Sequence, residues 1–243
     1  MPLPPVDERL VMPETRYEIH DGRVMYVSPA DEPHGSRHSK LSALLEAYVR
    51  DEYDVATDML TRTSATSDVA PDASVFPRAR DPETGRRQLE ELAFEVLSTE
   101  RLAEAQGKAA KLAERGVRRV FALDLGSQRV LEWSKSLETW QMLSPAGVID
   151  DAVFAIPLPV EALVRAGKAD DAVAQALIAK GNPAIEREVA RGKAEFVLEL
   201  LAARGLEVPD EVRTRVLGCS DPTRLVAWLR LAVSAESAWK LLE

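Results

Sequence analysis

Cysteine is almost absent from this chain of 243 residues, in which Cys219 is the single example. One thiol cannot form an intrachain disulfide, which suits a protein of the reducing cytoplasm. Long hydrophobic runs are also missing, since the nearest candidate, "LVAWLRLAV" at 225–233, is short and contains Arg230. The first residues, "MPLPPVDERL", lack the basic and apolar regions of a secretory signal. We therefore expect a cytoplasmic protein without a membrane span.

Basic residues are fewer than acidic residues in this chain. The chain has 31 Lys and Arg against 40 Asp and Glu, which gives a formal net charge of -9. This balance argues against broad, nonspecific adhesion to nucleic acid, because such binding depends on contacts between basic side chains and phosphates. A local basic groove is still compatible with it. The densest arginine clusters are "PRARDPETGRRQ" at 77–88 and "ERGVRRV" at 114–120.

Turn signals and hydrophobic periodicity predict an α/β arrangement up to about residue 158. "HDG" at 20–22 marks a hairpin turn, and helical patterns cover 34–53 and 100–116, the second ending at Gly116. Residues 78–91 are polar and are predicted to form a loop. The predicted strands are 16–20, 23–28, 55–64, 69–77, 92–98, 119–125, 129–135, 138–143 and 153–158.

The pattern after residue 158 contains helical segments and no strand. The predicted helices are 159–181, 185–205, 209–220 and 221–233. Asp221 followed by Pro222 is a clear helix start, an N-cap and then a proline in the first turn. We therefore predict an α/β domain over 1–158 and an all-α C-terminal region over 159–243. The apolar positions of that region form a core or an interface, either for a homodimer or for another partner.

Two carboxylates interrupt apolar runs. Asp72 lies within "VAPDASVF" and Glu95 within "LAFEVLS", where an uncompensated charge would be costly. On neighbouring strands they would lie about 5 Å apart and repel each other when ionised. A divalent cation removes that repulsion, and oxygen ligands favour Mg²⁺ or Mn²⁺ over zinc. The alternatives are a turn-capping role for Asp72 and a buried salt bridge for Glu95.

A lysine follows on the next predicted helix. Lys108 comes shortly after the Glu95 strand, and an ammonium near a metal can orient an attacking water and stabilise charge on a phosphate. Lys111, three residues later, is the rival for this role. His34 and His38 share one helix face, but without a third imidazole or thiol nearby they do not indicate zinc. The set suits phosphodiester cleavage.

An ordered series of motifs over about residues 16–158 resembles a known family. The motifs are "YEIHDGRVMYVSP", a helix entered through "PH", "APDASVFP", "FEVLS", a lysine eight residues before "GV", and "VFALD". Together they look like the PD-(D/E)xK nuclease superfamily, and most closely its Uma-type branch of restriction-endonuclease-like proteins. The resemblance implies a restriction-endonuclease-like mixed sheet flanked by helices.

The resemblance also implies ligands for the metal. Asp72 and Glu95 match the metal-binding carboxylates, and the backbone carbonyl of Val96 matches a further ligand. Glu18 in "YEI" matches an additional carboxylate near the metal, and His34 matches the histidine that opens the first long helix, where it could contact substrate.

The lysine of the superfamily usually stands two residues after the glutamate, where this chain has Leu97. Lys108, on the following helix, matches the lysine of this branch. The implied activity is Mg²⁺- or Mn²⁺-dependent cleavage of DNA, and the sequence does not separate DNA from RNA. The competing hypothesis is a binding or interaction module that keeps the fold without catalysis.

Overall fold

The secondary structure comes from a computed structural model that describes residues 5, 17–26, 32–97 and 102–242, apart from the side chains of 32–34 and 166–167. The strands are β1 (Tyr17–His20), β2 (Arg23–Tyr26), β3 (Tyr53–Ala56), β4 (Thr61–Ser64), β5 (Ser67–Val69), β6 (Ala73–Pro77), β7 (Leu92–Leu97), β8 (Arg119–Asp124), β9 (Arg129–Ser134), β10 (Thr139–Met142), β11 (Val148–Ile149) and β12 (Leu158–Pro159). The helices are α1 (Glu32–Tyr48), α2 (Leu102–Arg115), α3 (Ala166–Ala179), α4 (Pro183–Ala203), α5 (Asp210–Leu217) and α6 (Pro222–Ser234), with short 3₁₀ helices at Val160–Leu163 and Ala238–Leu241.

A mixed sheet of six strands forms the centre of the first part of the chain, in the order β10-β9-β8-β7-β6-β3. Only β7 and β8 run parallel, and α2 provides the crossover that parallel neighbours require. All six residues of β7 are buried, which explains why "LAFEVL" is almost continuously apolar. Glu95 therefore lies in the most buried strand of the sheet.

Helices cover the central sheet. α2 packs through its alanine and leucine positions against Ala93 of β7 and Val120 of β8. Phe94 and Phe121, one position further along the same strands, point to the other face and stack with their ring centroids 5.0 Å apart. α1 packs against β3, β6 and β7. The predicted α/β architecture is confirmed.

A second sheet has the strand order β2-β1-β5-β4. Its hairpin turns through Asp21 and Gly22, which both have positive φ, 53° and 79°. Two consecutive residues of positive φ are the conformation of a type I′ hairpin turn, so "HDG" forms the predicted turn. This sheet places Glu18 on β1, whose Ile19 is opposite Asp68 of β5.

Several predicted boundaries were wrong. The single strands expected at 55–64 and 69–77 are each two strands, one in the central sheet and one in the second sheet. Asp58 interrupts the first with a φ of 50°, and Pro71, which has no N–H to donate, lies in the interruption of the second. In place of the helix expected at 159–181, a 3₁₀ helix precedes α3.

The end of the first part also differs from the prediction. The strand expected at 153–158 is an isolated bridge between Val49 and Phe154, followed by β12, which pairs with β11. By contrast, the loop predicted at 78–91 contains no strand, and α2 ends at Arg115, just before Gly116, as predicted.

The chain divides into two compact units, Met1–Ala176 and Leu177–Glu243. The core of the second unit is formed by α4, α5, α6 and the last 3₁₀ helix. The Asp221 carboxylate accepts hydrogen bonds from the N–H groups of Thr223 and Arg224, which confirms the predicted start of α6. A functional division at residue 158 stays a prediction. No helix among the described residues is long and apolar enough to cross a membrane.

Candidate active site

Lys108 brings two buried carboxylates together. It projects from α2, and its Nζ lies 3.1 Å from Oε1 of Glu18 and 3.5 Å from Oε2 of Glu95. The Glu95 side chain is fully buried, and those of Glu18 and Lys108 are nearly so. Ion pairs in such surroundings are weakly screened by solvent, so the three side chains interact strongly. The helix and two sheets thus converge on one cluster.

The Glu18 carboxylate has further partners. Its Oε1 accepts a hydrogen bond of 3.0 Å from the N–H of Ala70, and its Oε2 lies 2.7 Å from Nε2 of His20. Burial alone would raise the pKa of Glu18. The hydrogen bond with His20, the positive charge of Lys108 and the Ala70 N–H together outweigh that effect and hold the pKa below its usual value. Glu18 is therefore an ionised, oriented carboxylate at neutral pH.

Asp72 lies directly before β6, at the point where the chain leaves the second sheet. The last residue pair between β6 and β7 is Ala73 with Phe94, and continuing this register places Asp72 opposite Glu95. Oδ2 of Asp72 accepts a hydrogen bond of 2.5 Å from the N–H of Val96. The carboxylate therefore occupies the space that β6 leaves open beside β7.

The backbone of β7 faces the same space. The Leu97 carbonyl accepts a hydrogen bond from the N–H of Leu125, on the β8 side. Successive residues of a strand alternate the side to which their N–H and C=O groups point, and both groups of one residue point to the same side. The Val96 N–H points at Asp72. The Val96 carbonyl is therefore also directed towards the side of β7 on which Asp72 lies.

The structure adds Asp58, which the sequence pattern does not single out, and places His38, noted in the sequence only for its spacing from His34, beside Asp72. Nε2 of His38, on α1, lies 3.3 Å from Oδ1 of Asp72, and Nδ1 of His38 lies 3.9 Å from Oδ1 of Asp58. Each of the three can offer one ligand atom such that all lie within 4.8 Å of one another. In the described part of the chain this is the one trio of His, Cys, Asp or Glu that meets that limit.

The rival lysine lies elsewhere. Nζ of Lys111 is 2.8 Å from Oδ2 of Asp21 and 3.4 Å from Oγ of Ser67, at the hairpin turn of the second sheet. Leu97, at the usual lysine position of the superfamily, packs in an apolar cluster with Ala105 and Ala122. The side chain of His34, the expected substrate contact, lies outside the described residues.

Four arginines of the two arginine-rich segments, 77–88 and 114–120, form ion pairs with acidic side chains. Arg78 pairs with Asp54, and Arg87 is buried against Glu90. Arg118 and Arg119 both bind Asp151. These four arginines are therefore engaged in ion pairs within the fold.

The cluster around Lys108 has the chemistry of a cation site. Glu18 and Glu95 contact the ammonium of Lys108, and the strand register places Asp72 opposite Glu95; these four largely buried side chains carry two negative charges in formal terms. Buried charge of this size requires compensation. Oxygen ligands with that charge fit a hard divalent cation such as Mg²⁺ or Mn²⁺.

Comparisons with known proteins found one matching family and a solved structure of similar fold. The sequence profile of a family named Uma2, described as "Putative restriction endonuclease", matches residues 6–153. The fold is similar to the crystal structure of a "putative nuclease belonging to DUF820" from Anabaena variabilis, with a TM-score of 0.53 and 17% identity. That similarity covers 64% of this chain and 93% of the other, and it confirms the predicted fold class. Among curated proteins, none matches the chain.

Proposed function

Because the chain belongs to the Uma2 family, which is described as "Putative restriction endonuclease", we propose that it is a divalent-metal-dependent endonuclease that hydrolyses phosphodiester bonds in DNA. The observation that carries the proposal is the position of Lys108, whose ammonium contacts both Glu18 and Glu95. A lysine beside buried acidic ligands is the arrangement that phosphodiester hydrolysis needs, since the reaction requires cationic groups around a negatively charged phosphate.

Asp72 and Glu95 are the proposed metal ligands, together with the backbone carbonyl of Val96. The contact from the Val96 N–H supports this assignment, because it fixes the Asp72 carboxylate at the open end of β6. Mg²⁺ or Mn²⁺ bound there would supply Lewis-acid stabilisation of charge on the phosphate and lower the pKa of a bound water.

The other side chains have separate roles in the proposal. Lys108 orients the attacking water and offers its positive charge to the phosphate. Glu18 positions Lys108, since its ionised carboxylate accepts from Lys108 and is itself held by Ala70 and His20. His34 is proposed to contact the substrate from the start of α1.

The test is cleavage of supercoiled plasmid by the purified protein in Mg²⁺ or Mn²⁺. We expect wild-type protein to nick the plasmid, and Asp72→Asn, Glu95→Gln and Lys108→Met to reduce the rate by about 100-fold or more. Lys111→Met is the matched control, because Lys111 is on the same helix but binds Asp21 at the hairpin turn. It should retain the wild-type rate.

The alternatives give different results. Loss of cleavage in Lys111→Met but not in Lys108→Met would move the lysine role to Lys111. Absence of cleavage and of cation binding under all conditions would contradict the enzyme and favour a binding module. A parallel assay with structured RNA shows whether DNA is the substrate. A cytoplasmic location and a homodimer stay predictions.

A further inference from the structure

We propose that His38, Asp58 and Asp72 form a second divalent-cation site, which prefers Mn²⁺ to Mg²⁺. The inference rests on the proposed function in one respect, because Asp72 belongs to both ligand sets. It concerns side chains from three separate segments: His38 from α1, Asp58 from the connection between β3 and β4, and Asp72 from the residue directly before β6.

The geometry of the trio matches a metal site. His38 Nε2 lies 3.3 Å from Asp72 Oδ1, and the ligand atoms that the three residues can offer fall within 4.8 Å of one another. Metal–ligand bonds of about 2.0–2.6 Å keep the ligands of one cation within about 5 Å of each other. Small side-chain adjustments are therefore enough to bind an ion.

The two oxygens of Asp72 support the division into two sites. Oδ2 is directed at the backbone of β7 through the Val96 N–H, while Oδ1 is directed at His38 on α1. A carboxylate whose two oxygens point in different directions can bind one cation through each oxygen. Two-metal sites that cleave phosphodiesters place their ions about 3.5–4 Å apart, which a single bridging carboxylate can span.

Solvent reaches this side of Asp72. The side chains of His38 and Asp72 are 13% and 11% exposed, and that of Asp58 is 38% exposed. A groove of about 520 Å³ adjoins the trio, lined by residues that include Gly35, Ser39, Ser42 and Glu46 as well as His38 and Asp58. A cation can enter through it, and waters can complete the coordination.

The preference for Mn²⁺ follows from the ligand types. The proposed first site offers only oxygen ligands, which suit Mg²⁺. The second includes an imidazole nitrogen, which binds transition metals better than it binds Mg²⁺, whose bound waters exchange for nitrogen reluctantly. The His38 site should therefore bind Mn²⁺ more tightly than Mg²⁺.

The experiment counts Mn²⁺ bound by the full chain, using calorimetric titration and the electron paramagnetic resonance signal of free Mn²⁺. We expect two Mn²⁺ per wild-type chain and one in His38→Gln and in Asp58→Asn, or an affinity at one site weakened at least about tenfold. Asp58 has a φ of 50°, a conformation that Asn adopts readily, so Asp58→Asn preserves the backbone. Asp51→Asn, an exposed aspartate outside the trio, controls for the loss of one charge.

Wild-type stoichiometry and affinity in both His38→Gln and Asp58→Asn would overturn the inference. Thermal unfolding without metal verifies that each variant is folded. Glu95→Gln should keep the His38-dependent Mn²⁺ and lose the other. The metal count and the plasmid assay can therefore fail separately. A chain that binds Mn²⁺ through His38 but does not cut plasmid supports this site and contradicts the enzyme. A chain that cuts plasmid but does not bind Mn²⁺ through His38 contradicts only this site.

Discussion

Lys108 matters for stability as well as for the proposed chemistry. Its ammonium is the cation that both Glu18 and Glu95 contact, and Glu95 is fully buried. Removing one partner of a buried ion pair leaves uncompensated charge, which destabilises proteins by about 3–5 kcal/mol. We predict that Lys108→Met lowers the free energy of unfolding by about 3 kcal/mol, measured by urea denaturation without divalent cations.

The control for this prediction is Lys111→Met. Its partner Asp21 has a side chain that is 76% exposed, and exposed ion pairs contribute about 0–1 kcal/mol. Equal losses in the two variants would show that the cluster around Lys108 is not a desolvated charge network. The comparison needs no assumption about catalysis, because both experiments are done without metal.

The sequence alone indicates a functional role for some residues of the proposed sites and not for others. Asp72 and Glu95 interrupt apolar runs, and that contrast is visible in the amino-acid sequence alone. His38 and Asp58 give no such contrast, since one lies in the polar first half of the α1 sequence and the other in a loop. Their significance comes from the approach of α1 to Asp72, a tertiary contact between distant segments. The spacing of His38 from His34 is the one local signal, and it carries no information about Asp58 or Asp72.

At the scale of secondary-structure elements, Asp151 connects the segment after β11 to the start of β8 through ion pairs with two arginines. Its carboxylate accepts hydrogen bonds of 2.7 Å from Arg118 and 3.0 Å from Arg119, and its side chain is 1% exposed. Burial alone would raise the pKa of Asp151. The bonds from Arg118, from the Val153 N–H and from Arg119 outweigh burial and lower the pKa from 3.8 to about 2.

This shift gives a pH prediction. A depressed carboxyl pKa contributes stability that is fully present above the unfolded value near 4 and is lost as pH falls through the folded value near 2. Asp151→Asn should therefore lower the free energy of unfolding by about 2 kcal/mol at pH 7, and the difference from wild type should shrink below pH 4. Urea unfolding from pH 7 to pH 2.5 measures this. A difference that is constant with pH would contradict it.

The start of α6 allows a second prediction at this scale. The Asp221 carboxylate accepts from the Thr223 N–H at 2.8 Å and the Arg224 N–H at 3.3 Å. Loss of such an N-cap costs about 1 kcal/mol, whereas Asn caps as well as Asp. We expect Asp221→Ala to lower the unfolding free energy by about 1 kcal/mol and Asp221→Asn to leave it almost unchanged, as measured by chemical denaturation. Similar losses in both would indicate a charge effect instead.

Strand boundaries show what local pattern could not predict. The run 69–77 reads as one strand because its residues are small and apolar, yet it belongs to two sheets. Pro71 cannot donate to a ladder, so the chain changes sheets there, and Asp72 lies directly before β6 rather than within a strand. Such a transfer depends on which strands are available to pair, and hydrophobic alternation carries no information about that.

For the whole molecule, the division into two units separates the proposed chemistry from the helical part. Every residue assigned to the two cation sites lies between Glu18 and Lys108, within Met1–Ala176. The second unit has a core of its own, to which Val197, Leu201 and Trp228 contribute. Arg204, at the end of α4, donates to the carbonyls of Ala232 and Ala235 at 2.7 Å and so ties the end of α6 to α4.

A chain cut between the units tests this independence. Because the core of Leu177–Glu243 is formed by its own residues, we expect that fragment to be helical and to unfold cooperatively, as measured by circular dichroism during heating. Trp228→Ala in the same fragment should abolish that transition, since removing a buried tryptophan costs about 3–5 kcal/mol, comparable to the stability of so small a domain.

Residues 1–176 should bind Mn²⁺ like the full chain, because they contain every proposed ligand of the two cation sites. A folded 1–176 fragment that fails to bind Mn²⁺ would show that the helical unit contributes to the cation sites.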